Sequence, residues 1–336
     1  MNRRLLLRNA ATWSPLILAG CVPVVMPSGP EIRRPAVSTQ SFTMPDGSNL
    51  PYSAWLPHGR PDCVILALHG FGDYSFNAFD IPASVFTSQG VALYAYDQRG
   101  FGAGPHRGLW PGVPTLVADC AVVIGLLAEK HPGIPIFVLG ESMGAAVALV
   151  LAARRPALPV NGYILSAPGV RGRASMSQFS QTTLEIASRL IPAVGFSGAA
   201  PGFSPSDNED AMRRWSRDPL TAKEFRVDLV YGVVDLMDQA LDAATRFGER
   251  SLILYGAQDR IVPPDPLRRL LSTMPASPER RVAYYRAGHH LLLRDRGRAL
   301  VIGDIIAWLD QPGMPLPSGA DHAAEEWLAV KAATQG

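Results

Sequence analysis

From residue 40 to residue 310 the chain alternates two hydrophobic patterns. Short, unbroken apolar runs occupy 64–68, 91–96, 136–139, 163–165, 251–255 and 281–285. Runs of this length, rich in β-branched and aromatic residues, predict strands buried on both faces, as in a parallel sheet. Between them lie apolar residues at helical spacing. Residues 114–130 bring Leu116, Val117, Cys120, Val123, Ile124 and Leu127 to one face, and 143–155 and 297–310 read the same way. Ahead of the alternation, 40–43 and 50–55 flank Pro45, Asp46, Gly47 and Ser48, a turn signal between two short strands. The whole predicts an α/β class: a doubly wound, mostly parallel sheet with helices on both sides.

One interval breaks the rhythm. More than eighty residues separate the runs at 163–165 and 251–255, where a simple crossover needs about a dozen. The interval holds a Gly/Ser/Pro-rich piece (195–206) and an amphipathic helix near 224–245, and it reads as a helical cap inserted above the sheet. The predicted organisation is a core at 40–169 and 249–311, a cap or lid at 170–248, and a tail at 312–336 with one further helical pattern around Trp327 and Leu328.

The first residues have another character. Arg3, Arg4 and Arg8 precede an apolar stretch from 10 to 19 that contains Pro15 and runs into Leu18, Ala19, Gly20 and Cys21. A stretch this short reads as a secretory signal, since a membrane span needs about 20 apolar residues. Its ending resembles the lipobox of bacterial lipoproteins, which implies a signal peptide at 1–20, lipidation of Cys21, a tether at 21–39, and a lipid-anchored protein on the periplasmic side of the cell envelope. The alternative is a secreted soluble protein. The formal net charge is +2, and loss of 1–20 leaves 28 basic against 29 acidic residues. Neither value provides a basic field for nucleic acid. Cys63 and Cys120 fall at core positions and read as buried, unpaired thiols.

The chemistry starts at Gly140, Glu141, Ser142, Met143 and Gly144, a G-x-S-x-G segment placed directly between a strand and a helix. In that context the glycines permit a tight turn that holds the Ser142 side chain at the carboxyl edge of the sheet. A free hydroxyl is a poor nucleophile, so it needs a base, and the base needs an orienting acid, both downstream in this arrangement. Asp259 lies just past the run at 251–255, where catalytic groups gather. Asp265, before Pro266, suits a helix start instead. The base follows the next run and is His289 or His290; the residues alone do not choose. Neighbouring histidines on an extended loop point apart, and no third metal ligand is visible nearby, so no metal and no organic cofactor is expected. Leu68, His69, Gly70, Phe71, Gly72 and Asp73 follow the first long run. A glycine-flanked loop there can aim backbone N–H groups at an oxyanion, which assigns the donors to Phe71 and Met143.

Taken in order, His69–Gly72, the Asp97, Gln98, Arg99, Gly100, Phe101, Gly102 loop, Gly140–Gly144 and Gly256–Asp259 resemble the monoacylglycerol lipase and lysophospholipase branch of the α/β hydrolases, a serine aminopeptidase S33-type group. Asp218, Pro219 and Leu220 resemble a motif of that branch's cap. The resemblance spans about 40–310 and implies His-x-Leu-Leu-x-acid around the base. His290, Leu291, Leu292, Leu293, Arg294 and Asp295 fit that frame and His289 does not, so the resemblance selects His290. It also implies that Asp97 and Arg99 are structural. The implied activity is hydrolysis of a lipid-like carboxylic ester, a monoacylglycerol or lysophospholipid, with the membrane as the other partner. The alternatives are the same chemistry on small soluble esters or peptides, and a lipid-anchored binding protein with a silent site. In the cap, Val230, Val233, Leu236, Met237 and Leu241 would either wall an acyl groove or pack on the core; their spacing allows both.

Overall fold

A computed structural model describes residues 23–154, 157–197 and 204–334. Cys21 and the signal segment lie outside these residues. The elements in chain order are β1 (Ala36–Val37), β2 (Ser41–Thr43), β3 (Asn49–Trp55), β4 (Cys63–Leu68), α1 (Ser75–Ser88), β5 (Val91–Tyr96), α2 (Val113–Lys130), β6 (Ile136–Glu141), α3 (Met143–Arg154) and β7 (Gly162–Ser166). A 3-10 turn at Arg173–Ser175 follows, then α4 (Gln178–Leu190), β8 (Gly195–Ser197), α5 (Glu209–Arg217), β9 (Glu224–Arg226), α6 (Val227–Ala244), β10 (Ser251–Gly256), α7 (Pro264–Thr273), β11 (Arg280–Tyr285), α8 (Arg298–Asp310) and α9 (Ala320–Thr334).

Nine strands pair in the order β1-β2-β3-β5-β4-β6-β7-β10-β11. The six strands from β5 to β11 run parallel, and β3 joins them antiparallel through β5. Strand side chains alternate between faces, so one sheet closes two cores. Val64, Leu66 and Leu68 face the core built with α2, α3, α6 and α7. Ile65 and Ala67 face the other, built with α1 and α8. α3 lies within the first core, and ten of its residues, from Met143 to Ala152, are buried. Cys63 and Cys120 are buried free thiols, as the pattern predicts.

The interval between β7 and β10 is an excursion between directly paired strands, and its parts differ. The helix expected at about 224–245 begins at Val227, after the strand Glu224–Arg226. It does not stand apart from the body. Leu229, Val233, Leu236 and Ala240 belong to the main core, and Met237 and Leu241 pack against it. Gly232 receives the Trp110 ring, which would lie 2.4 Å from a Cβ there. Of the apolar stripe of α6, Val233, Leu236, Met237 and Leu241 therefore pack on the core, while Val230 is half-buried outside it. By contrast, residues 204–226 reach the loops at the carboxyl edge of the sheet. Leu291 N–H donates to Pro205 O at 3.0 Å, and Ala222 N–H donates to Gly72 O at 2.8 Å.

Both ends are held more closely than composition suggests. The described part of the expected tether lies along the body: Met26 N–H donates to Trp110 O at 2.8 Å and Ser28 N–H to Thr115 Oγ1 at 3.1 Å. The tail helix α9 crosses the outer end of the sheet. Ala320 enters one core and Trp327 packs on the other, stacked on Tyr284 at 5.0 Å beneath the Arg268 guanidinium. No described helix is long and apolar enough to cross a membrane.

Candidate active site

The sheet order brings two loops together. β4 and β6 are adjacent, with Leu68 paired to Gly140, so the loop after β4 and the turn after β6 leave the same edge side by side. This is the crevice where strand order reverses, the usual ligand position in open α/β sheets.

The turn after β6 is sterically specified. Ser142 has φ 54°, a left-handed conformation uncommon for a residue with a side chain. A Cβ on Gly144 would lie 2.1 Å from Leu68 O, and one on Gly140 would lie 2.4 Å from the Ala145 nitrogen. Both positions therefore require glycine. The Ser142 backbone is gripped from both sides: its N–H donates to Ser166 O and its carbonyl accepts from Gly169 N–H, each at 2.9 Å. The side chain stands at the N-terminus of α3, where unpaired N–H groups and the helix dipole favour negative charge.

The structure joins two of the three expected catalytic side chains directly. The His290 Nδ1–H donates to Asp259 Oδ2 at 2.8 Å, with both side chains buried. Asp259 Oδ1 accepts the N–H groups of Ile261 and Val262 at 2.8 and 2.9 Å, which fixes the carboxylate. With Nδ1 committed, Nε2 is the basic nitrogen. No hydrogen bond closes from Ser142 to the pair among the described residues. Its hydroxyl has no hydrogen-bond partner among them. Asp265 starts α7 with most of its side chain in solvent and takes no part. His289 is also elsewhere. Its Nδ1 lies 3.3 Å from Asp295 Oδ2, and ligand-type atoms of Asp207, His289 and Asp295 gather within 4.8 Å of one another. The expectation that no third ligand-type residue stands near the histidine pair is thus corrected. Both carboxylates already serve the loop, Asp207 accepting Arg296 N–H and Asp295 accepting His289 N–H and the Ser206 hydroxyl.

In the loop after β4, Gly70 packs on Ser142: a Cβ there would meet Ser142 Cβ at 3.5 Å. Buried His69 organises this loop. Gln98 N–H donates to its Nε2 at 3.1 Å, so Nδ1 carries the proton and donates to Gly70 O at 2.9 Å. Burial pushes the His69 pKa down, consistent with that neutral ring. Because the peptide is trans, holding the Gly70 carbonyl sends the Phe71 N–H the opposite way. Among the described residues neither the Phe71 nor the Met143 N–H has a protein acceptor, which leaves both available to a ligand. The Phe71 ring is stacked on Phe225 of β9 at 4.7 Å and meets Phe101 edge-on at 5.6 Å. Asp97 and Arg99 are structural: Asp97 accepts Ser75 and Ala103 N–H groups, and Arg99 clamps Asp46 to Asp119. A cavity of about 660 Å³ lies away from these groups, lined by Pro23, Val25, Trp110, Arg189 and Tyr231.

Residues 59–297 match the family described as serine aminopeptidase, S33. The chain belongs to that family. It is an α/β hydrolase of the serine class, on the monoacylglycerol-lipase-like branch. A monoacylglycerol lipase of Mycolicibacterium smegmatis is 25% identical over 284 residues, which cover 81% of this chain and 96% of the relative. The human monoglyceride lipase is 24% identical over 274 residues, 79% of this chain and 88% of the relative. Among solved structures, the Saccharomyces cerevisiae monoglyceride lipase superposes with a TM-score of 0.69 at 21% identity, covering 87% of this chain and all of that one. The Paleococcus ferrophilus monoacylglycerol lipase gives 0.65 at 24% identity, with 78% and 99% covered.

Several residues that shape the site escaped the sequence reading. His69 was visible only as part of a motif. Ser166 and Phe225 act through a backbone carbonyl and a ring stack that no local pattern announces. Glu141 and Arg294 are the variable positions of their motifs, although a lone arginine after three leucines is itself a signal of a paired, buried charge.

Proposed function

We propose that the chain hydrolyses a lipid-like carboxylic ester, a monoacylglycerol or lysophospholipid, through an acyl-enzyme. His290 Nε2 takes the Ser142 proton as Oγ attacks the ester carbonyl. The N–H groups of Phe71 and Met143 hold the oxyanion, each donor contributing about 3–4 kcal/mol to such a transition state. His290 then passes its proton to the leaving alcohol. A water enters, gives a proton to His290 and its oxygen to the acyl carbon, and the acid departs as Ser142 recovers the proton. Asp259 holds the imidazole in the required tautomer throughout.

The observation that carries this reading is the buried Asp259–His290 bond at the sheet edge that presents the strained Ser142 turn. The lipid-like substrate is supported by the relatives and by exposed apolar side chains gathered in the insert: Phe179, Ile186, Leu190, Ile191, Val194 and Phe196. The family's description favours a second reading, cleavage of peptides by the same groups. We also propose lipidation of Cys21 and residence at the bacterial cell envelope, on the sequence signal alone.

The test is a fluorophosphonate probe followed by a substrate panel: monoacylglycerols, lysophospholipids, p-nitrophenyl esters of increasing chain length and aminoacyl-arylamides. The expected result is labelling at Ser142, abolished in Ser142→Ala, and turnover greatest on long-chain esters. Unlabelled wild-type protein, or full ester turnover by Ser142→Ala, would overturn the assignment. Arylamide turnover above ester turnover would transfer the reading to peptides.

A further inference from the structure

Arg294 is an arginine with almost no access to water. It follows Leu291, Leu292 and Leu293 and stands in the loop that carries His290. Its Nη1 donates to Asp73 Oδ2 at 2.6 Å and its Nη2 to Glu141 Oε1 at 2.5 Å. The two acceptors lie 221 and 153 residues away in the chain. Each borders a candidate catalytic group. Asp73 lies two residues beyond Phe71, and Glu141 directly precedes Ser142. One planar guanidinium thus joins the loops after β4 and β11 to the last residue of β6. Its fork geometry suits this, because two carboxylates can be held at fixed angles at once.

The surroundings lock the arrangement. Asp73 Oδ1 also accepts Tyr74 N–H and the Asn77 amide, and so is anchored to the start of α1. Arg294 O accepts the Asn208 amide at 2.9 Å. Burial opposes the arginine charge, but Glu141 and Asp73 more than offset it. Burial pushes Glu141 up, and its Oε2 has no partner among the described residues. Such a network is costly to desolvate, and apolar residues of similar volume often serve stability as well or better. Stability therefore gives no reason for ions here; geometry does.

Resting on the reading of Ser142 as nucleophile, we propose that Arg294 is a positioning residue. By bridging Asp73 and Glu141 it sets the spacing of the Phe71 N–H, the Ser142 hydroxyl and the His290 imidazole. Misplacement by about 1 Å can cost on the order of 100-fold in rate. The guanidinium holds Asp73 and Glu141, which border the Phe71 N–H and Ser142, and none of the exposed apolar side chains of α4, so the loss should fall on kcat.

The experiment uses full-length protein, a p-nitrophenyl ester and the fluorophosphonate probe, well below each variant's melting temperature. Arg294→Met is expected to lower kcat and the labelling rate together by about 100-fold, with KM within about threefold of wild type. Arg294→Lys, which keeps the charge but loses the fork, should recover about tenfold of that loss. A merely structural ion pair predicts a lower melting temperature with kcat per folded molecule unchanged. Folded Arg294→Met with kcat within threefold of wild type overturns the proposal. Should Arg294→Met fail to fold, Arg294→Lys decides alone: a kcat at least fivefold below wild type at unchanged KM supports it, and an unchanged kcat overturns it. Labelled, active wild type with indifferent Arg294 variants sinks this inference only, whereas unlabelled, inactive wild type sinks the nucleophile reading and this inference with it.

Discussion

The turn after β6 and the insert after β7 leave neighbouring strands at one edge of the sheet, yet they are built on opposite terms. The turn is backbone chemistry. Gly140 and Gly144 are forced by contacts that leave no room for a Cβ, and Ser142 sits in a left-handed conformation held by two backbone hydrogen bonds. The insert is surface chemistry. Its α4 buries only Ser188 and turns Phe179, Ile186 and Leu190 to solvent. On the proposed function, reaction type depends on the first region and substrate preference on the second. A position fixed by sterics tolerates little change, whereas an exposed apolar face can be rewritten at small cost to folding.

The largest effect expected on the first side is chemical. Asp259→Asn keeps an oxygen for the Ile261 and Val262 N–H groups but turns an amide N–H towards His290, favouring the wrong tautomer. It should lower kcat on the order of ten-thousand-fold, read by steady-state kinetics, with the melting temperature little changed. Gly144→Ala comes next. A methyl group 2.1 Å from the Leu68 carbonyl must displace β4 or α3, and denaturant unfolding should show a loss of roughly 3–5 kcal/mol. Leu236→Ala tests where the insert ends. If α6 is a core layer, as its burial indicates, the same measurement should give a loss of about 2–5 kcal/mol. A loss below 1 kcal/mol would return α6 to the insert. The smallest effect is on α4: Phe179→Ser should change stability by less than about 0.5 kcal/mol, while raising KM for long-chain esters and leaving short-chain esters unaffected.

Much of the first region was legible in the chain. The five central strands β5, β4, β6, β7 and β10 stand out because both faces of each are buried, so their runs are nearly unbroken, while β11 at the margin is only partly buried. Ser142, Asp259 and a histidine at 289 or 290 follow from strand ends and chain order, and the His290–Asp259 bond brings together residues 31 apart. The choice of His290 over His289 came from a family frame, not from the residues. α1 escaped because Pro82 sits inside it, and an internal proline reads as a helix stop. α6 showed its apolar stripe but not the surface that receives it. The Asp73–Arg294–Glu141 bridge was not legible at all, because partners so distant in sequence leave no local pattern.

The two margins of the sheet are finished differently. On one side it tapers to β1, a strand of two residues, too short to template much pairing. On the other side β11 is six residues long, and α9 shields it, with Arg281 paired to Asp321 and Trp327 clamped beneath Arg268. Removing residues 320–334 would turn a capped margin into an open ladder of N–H and C=O groups. The C-terminal helix covers the edge along which another strand could pair, and a protein truncated before residue 320 is expected to self-associate more than the intact chain in a sedimentation comparison.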